Sequence, residues 1–279
     1  MCRLLAYVGP PRPLYPLIIE PEHSLVAQGY APKEMEVALL NADGFGLGWY
    51  DRDRQSAPFI YRNTSPIWND INLPHLCRYI QSGHVLGYVR SATPGLAVDL
   101  HNCQPFSHED LCFIHNGYIE NFRQTLYRPI REGLSDRAYH SIHGLTDSEH
   151  IFALLLHHLE TQPGISLEQA LQQTLTVLER LASEHSIRIA INLVVSNGQR
   201  LVACRYDSTG ADPSLYWLRN HPEFPQAVIL ASEPLFAAAW ETCPPATILA
   251  VDPDGHLQSQ PFHPADMPPG SPVSWPVPA

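Results

Sequence analysis

The chain has 279 residues, 44% hydrophobic and only 16% charged, and its 17 basic against 28 acidic residues leave a formal net charge of −11. Such a chain can bury a sizeable core and is not a solvating or disordered one; its acidic balance, with no basic patch, argues against a nucleic-acid partner. No run approaches the ~18 apolar residues that span a bilayer, and the apolar stretch 4–8 meets Pro10, Pro11 and Pro13 too soon for a signal peptide, so a cytoplasmic protein without membrane contact is expected.

In chain order, residues 4–8 read as a short strand. Residues 44–50 (GFGLGWY) alternate glycine with bulky residues, as in a strand that something approaches closely. Segments 84–90 (HVLGYVR) and 111–115 (LCFIH) are two further strands, and a helix closes over 76–80, with Leu73, Leu76, Cys77 and Ile80 at helical spacing. The clearest helix spans 148–159. A second runs from 166 to about 184, with Leu167, Ala170, Leu171, Thr174, Leu175 and Leu178 on one face and a capping box of Ser166 with Gln169. Strands follow at 187–195, 200–206, 227–231 and 247–251, and beyond Gln260 the proline-rich segment 261–279 reads as a tail. Strands, then helices, then strands predict an α+β architecture in which antiparallel sheets pack between helical layers.

Six cysteines are scattered without a CxxC pair, which suits small core residues better than a disulfide framework or a zinc site. Cys2 differs by position. Removal of Met1 would give it a free α-amine beside its thiol. The reference pKa values of those groups, about 7.7–8 and about 8.5, let the amine take the thiol proton cheaply. Four further segments bear chemistry, each with a plainer alternative. Arg90, closing a strand in VRSATPG, can grip a carboxylate in its guanidinium fork, or form a surface ion pair. Asn116 and Gly117, in HNG after a strand, can supply two oxyanion donors, or make an Asn-Gly turn. Asp147 in TDSEH opens a helix as a charged site residue, or as its N-cap. The segment 39–50 lines a site, or forms a hairpin. His140, His143, His157 and His158 lie near one another in sequence but show no HExxH or clustered Cys/His pattern.

Taken in order, the N-terminal Cys, NADGFGLGWY, VRSATPG, N-x-Q-P-F at 102–106, HNG and TDSE closely resemble the layout of class II glutamine amidotransferases, from Cys2 to about Leu159 and on through SEP at 232–234 to about Asp252. The resemblance implies the four-layer αββα sandwich of N-terminal-nucleophile hydrolases over residues 2–260. It also implies Cys2 as nucleophile, Asn116 and Gly117 as the oxyanion pair, and Arg90, Asp147 and Thr93 as binding residues for a small γ-glutamyl substrate. No metal or organic cofactor is implied, and a homo-oligomer is compatible with it. Sugar-phosphate-making members carry histidines where Pro94 and Gln104 stand here. The similarity is to stand-alone members, most of all those that hydrolyse γ-glutamyl-hercynylcysteine sulfoxide in ergothioneine biosynthesis. Glutathione-type γ-glutamyl peptidases come next, then glutaminase subunits that feed ammonia to a separate synthetase. A trimethylammonium leaving group would favour an aromatic or acidic surround, for which Tyr30, Trp49 and Trp68 are aromatic candidates, with core packing the plainer alternative for each.

Overall fold

The computed structural model describes residues 2–34, 40–92, 95, 97–210 and 213–263. Side-chain alternation along the strands decides which layer each face meets. In β1 (Arg3–Pro13), Leu5 and Tyr7 enter a core shared with the helices α1 (Tyr15–Ile18) and α2 (Leu25–Tyr30), whereas Leu4, Ala6 and Val8 enter a second core between two sheets. The strand β2 (Phe45–Trp49) divides in the same way. Phe45, Leu47 and Trp49 pack outward, and the glycines between them face inward. A Cβ on Gly46 would stand 2.2 Å from the Gln104 carbonyl oxygen, and one on Gly48 would stand 2.5 Å from the Cys112 sulfur. The glycine alternation thus lets the second sheet close onto this strand, as the sequence pattern predicts.

The remaining elements in order are β3 (Phe59–Asn63), α3 (Leu73–Tyr79), β4 (Gln81–Val89), β5 (Phe106–His108), β6 (Leu111–Ile119), α4 (Tyr127–Gly133), α5 (Asp136–His140), α6 (Asp147–Thr161) and α7 (Leu167–His185). They are followed by β7 (Ile189–Ser196), β8 (Leu201–Asp207), β9 (Tyr216–His221), β10 (Phe224–Ala231), β11 (Glu241–Thr242), β12 (Thr247–Val251) and β13 (Leu257–Pro261). A seven-stranded sheet in the order β11-β9-β10-β1-β4-β2-β3 faces a six-stranded sheet in the order β13-β12-β8-β7-β6-β5, and every pairing is antiparallel. The α1–α3 layer covers the first sheet and the α4–α7 layer covers the second. This is the αββα sandwich the sequence implies.

Three local departures have physical causes. The first strand runs on past Val8 despite its prolines, because β10 pairs with it only as far as Val8 and its register with β4 shifts between Val8 and Arg12. Prolines are tolerated at such an edge and bulge. The strand read at 111–115 extends to Ile119, so Asn116 and Gly117 lie inside β6 rather than in a turn after it. Pro261 ends β13, and Phe262 is buried edge-on against Tyr206; residues 264–279 of the expected tail lie outside the described residues. The capping box of α7 is present, Ser166 Oγ accepting from Gln169 N at 3.2 Å and Gln169 Oε1 from Ser166 N at 3.1 Å.

Candidate active site

Cys2 precedes β1 in phase with Leu4 and Ala6, so its side chain packs against the inter-sheet core. It is half-buried, and its sulfur accepts the Ser91 N–H at 3.3 Å while lying 3.4 Å from the Ser91 carbonyl oxygen. Directly across from Leu4 in the β1–β4 ladder is Tyr88, which shares the inward face with Arg90 two residues on. Burial first, and then the neighbouring Cys2 sulfur, push the Tyr88 phenol well above its usual range, with Arg90 opposing and Asp147 adding to the rise. The hydroxyl stays protonated.

Arg90 is 3% exposed. Its Nη1 donates to the Asp43 carbonyl at 3.3 Å and its Nη2 to the Ala97 carbonyl at 3.5 Å, both long contacts. Among the described residues no carboxylate pairs with it, so a surface ion pair is not its role. Among the described residues the buried guanidinium is bonded by these two distant carbonyls and by no carboxylate in contact, which leaves it able to take an anion. Asp43 shapes this corner: its Oδ2 accepts the Ala92 N–H at 2.8 Å, and its own N–H donates to the Arg90 carbonyl. Thr93 lies outside the described residues.

Asn116 pairs with Asn192 and Gly117 with Ile191, which rules out the plain-turn reading. Alternation with Cys112 and Ile114 turns Asn116 into the inter-sheet layer, where it is fully buried and donates from Nδ2 to Ser232 Oγ at 3.2 Å. A Cβ at Gly117 would stand 2.0 Å from the Ala190 carbonyl oxygen, so the close approach of β7 requires glycine there. His115 faces the other way, and its Nδ1 meets Ser148 Oγ of α6 at 2.8 Å. Burial lowers the His115 pKa more than nearby Asp147 raises it, so the ring is neutral. Gln104 fixes this stretch of β6 from the side, with Oε1 accepting the His115 N–H at 2.5 Å and Nε2 donating to the His115 carbonyl at 3.0 Å.

Asp147 is not the N-cap of α6. Thr146 caps the helix, its side chain accepting from Glu149 N, and Asp147 is the first helical residue. Its Oδ2 accepts the Ile119 N–H at 2.9 Å and its Oδ1 the Ser148 N–H at 2.8 Å, which fixes the carboxylate where β6 ends and α6 begins. A carboxylate there is favoured by the helix dipole and can still accept from a ligand ammonium.

Tyr88, Asp43 and Ser148 are site neighbours that the sequence reading does not name, and Gln104 is named there only as a departure from the sugar-phosphate-making members. Among the aromatic candidates, Trp49 stacks on Phe59 and packs into the outer core, away from the inter-sheet face. Tyr30 and Trp68 form an edge-on pair with centroids 5.8 Å apart, at 52% and 36% exposure. Among the described residues no three His, Cys, Asp or Glu side chains converge as a metal site, and no helix is long and apolar enough to cross a membrane. A cleft lined by Glu109, Ser166, Glu168, Asn197 and Arg200 contains none of the site residues.

Two facing antiparallel sheets between helical layers, with Cys2 entering the inter-sheet core just ahead of β1, make an N-terminal-nucleophile hydrolase fold. The chain belongs to the class-II glutamine amidotransferases, whose family description it matches over residues 20–233. It is 28% identical over 296 aligned positions to the probable glutamine amidotransferase DUG3 of Saccharomyces cerevisiae, covering 90% of this chain and 82% of that one. It is 29% identical to the gamma-glutamyl-hercynylcysteine sulfoxide hydrolase of Mycolicibacterium smegmatis, covering 84% of this chain and 88% of the relative. The solved structure of a glutamine aminotransferase class-II domain protein from Silicibacter pomeroyi superposes with a TM-score of 0.68 at 27% identity, covering 93% of this chain and 99% of the other.

Proposed function

We propose that this enzyme hydrolyses γ-glutamyl amides with Cys2 as nucleophile and that its preferred substrate is γ-glutamyl-hercynylcysteine sulfoxide, giving glutamate and hercynylcysteine sulfoxide. The observation that supports the γ-glutamyl half is the buried Arg90, which bonds no carboxylate among the described residues and directly precedes Ser91, whose N–H meets the Cys2 sulfur at 3.3 Å. A substrate bearing an α-carboxylate and an α-ammonium complements Arg90 and Asp147. Arg90 takes the carboxylate and Asp147 takes the ammonium.

Once Met1 is removed, the Cys2 amine accepts the thiol proton and the sulfur attacks the amide carbon. The carbonyl oxygen becomes an oxyanion facing the Asn116 Nδ2–H and the Gly117 N–H. Collapse breaks the C–N bond, and the amine leaves with the proton held by the Cys2 amine. A γ-glutamyl thioester remains, which water cleaves to glutamate and free thiol. No metal or organic cofactor takes part in these steps.

The leaving group is supported by likeness to the sulfoxide hydrolases. The yeast relative, a probable glutamine amidotransferase, supports a second reading in which glutamine itself is cleaved, and the sequence resemblance keeps a glutathione-type γ-glutamyl peptide as a further alternative. The deciding experiment offers γ-glutamyl-hercynylcysteine sulfoxide, glutathione and glutamine at equal concentration and follows glutamate and each leaving group by mass spectrometry. The sulfoxide is expected to have the highest kcat/KM. Equal or faster consumption of glutathione or glutamine removes the sulfoxide assignment and leaves the γ-glutamyl hydrolase in place.

A further inference from the structure

The inter-sheet core is mostly aliphatic, with Leu4, Ala6, Val8, Ile114, Val194 and Leu230 in contact across it. Apolar contacts are non-directional, so by themselves they do not hold Cys2 on one sheet at a defined distance from Asn116 on the other. Directional bonds come from the two residues after β10. Ser232 is fully buried, its N–H donates to the Leu4 carbonyl, and its Oγ accepts the Leu4 N–H at 3.0 Å and the Asn116 Nδ2–H at 3.2 Å. One hydroxyl thereby joins β1, two residues past Cys2, to β6 on the opposite sheet.

Glu233, 1% exposed, secures the same strand from the outer side. Its Oε1 accepts from Arg3 Nε at 2.5 Å and from Glu34 N at 3.0 Å, and its Oε2 accepts from Lys33 N at 2.8 Å and meets His23 Nε2 at 2.5 Å. Arg3 in turn donates from Nη1 to the Cys2 carbonyl at 2.8 Å. Burial would raise the Glu233 carboxyl, but His23, the two backbone N–H groups and Arg3 outweigh it and hold it at about 2.

We propose that Ser232 is a positioning residue for the hydrolysis described above, and this rests on that reading: its hydroxyl sets the Asn116 amide at a fixed distance from the Cys2 thiol, while Glu233 anchors Cys2 through Arg3. Ser232 touches no reacting atom and acts through Asn116. In the enzyme with a free Cys2 amine, Ser232→Ala should lower kcat on a γ-glutamyl amide by about 10–100-fold, the scale of an ångström-sized misplacement, with KM within about twofold. Alkylation of Cys2 by iodoacetamide should keep its rate within about twofold, because the nucleophile itself is unchanged.

The decisive arm is a double-mutant cycle. In an Asn116→Ala background, Ser232→Ala should cost less than about a further twofold, since the group it orients is gone. A merely structural role would give additive losses, and these, or a normal kcat in Ser232→Ala, overturn the proposal. If Ser232→Ala does not fold, Ser232→Cys is close in volume and only a weak hydrogen-bonding group, and it carries the same predictions. A wild-type enzyme that releases no glutamate from any γ-glutamyl amide overturns the hydrolase reading along with the brace. An active wild type with an additive cycle overturns the brace alone.

Discussion

Arg90 and Asn116 belong to facing sheets, and the proposed reaction gives them different energetic roles. The guanidinium is complementary to a carboxylate that keeps its charge throughout the reaction, so it binds ground state and transition state alike. Arg90→Ala is therefore expected to raise KM at least tenfold (about 1.4 kcal/mol or more) while kcat changes little. The Asn116 amide faces charge that exists only during turnover, and Asn116→Ala should lower kcat by about 10²–10³-fold with KM nearly unchanged. Steady-state kinetics on one γ-glutamyl substrate separates the two, and a common effect of both variants on KM alone contradicts the assignment. At this scale the proposed site residues could be nominated from the sequence: Cys2, Arg90, Thr93, Asn116, Gly117 and Asp147 each lie in a short segment whose order carries the family resemblance. The residues that hold them could not. Ser232 contacts Asn116 across 116 positions and Glu233 contacts Arg3 across 230, and no local pattern encodes a hydrogen bond that the topology alone brings about. Asp147 was misjudged as a possible N-cap because Thr146, the actual cap, is equally suited to that position.

Elements announce themselves when a single face repeats. The glycine alternation of β2 and the capping box of α7 were readable because each follows from its own sequence. The edge strands β3 and β13 were not, because their residues are half-buried or exposed without an apolar-polar alternation and they form by pairing with β2 and β12. The glycine pattern makes a direct prediction. Gly46→Ala puts a methyl against the backbone carbonyl of Gln104, a residue whose side chain is tied to His115 by two hydrogen bonds, and a backbone carbonyl cannot swing aside as a flexible side chain would. A loss of about 2 kcal/mol or more is expected by denaturant unfolding, toward the upper end of overpacking costs, and wild-type stability would refute the close approach. The helix α6 carries a second prediction. His150 is fully buried; its Nδ1 lies 2.7 Å from the Thr146 carbonyl and its Nε2 accepts from Arg131 Nε at 2.9 Å, an arrangement that requires the neutral ring. Burial and Arg131 lower its pKa to about 4, and burial also holds His158 on the same helix at about 4. In the unfolded chain a histidine titrates near ~6.5, so between that value and 4 the unfolded state binds more protons. Stability is complete above about pH 6.5 and declines as pH falls toward 4. Melting temperatures at pH 7 and pH 5 should show this decline, and His150→Gln should show a smaller drop than wild type. Equal drops would exclude His150 as a source.

The whole molecule is knitted by the way the chain crosses between its sheets. It passes from the first sheet to the second after β4, returns after β8, and crosses again after β11, so neither sheet is a continuous stretch of sequence. The inter-sheet core draws on both, with Leu4, Leu86 and Leu230 from one meeting Ile114, Val194 and Leu249 from the other. Separating the sheets would expose that core, together with the buried Asn116 and the Ser232 hydroxyl it bonds to, so half the molecule has no stable state of its own. The described tryptophans give a way to see this. Trp49 and Trp217 lie on strands of the first sheet, Trp240 packs in its outer core, and Trp68 contacts Gly29 of α2 in the same layer. The long helices α6 and α7, which dominate far-ultraviolet ellipticity, pack only on the second sheet. The fluorescence of these four therefore reports one half of the sandwich and ellipticity mainly the other. With interdependent halves the two signals should trace the same transition in urea, with coincident midpoints and a common slope. If fluorescence changes at a lower denaturant concentration than ellipticity, the second sheet and its helices persist without the first. The inter-sheet core would then be a dockable interface rather than the centre of a single cooperative fold, and the distance between Cys2 and Asn116 would depend on that docking equilibrium.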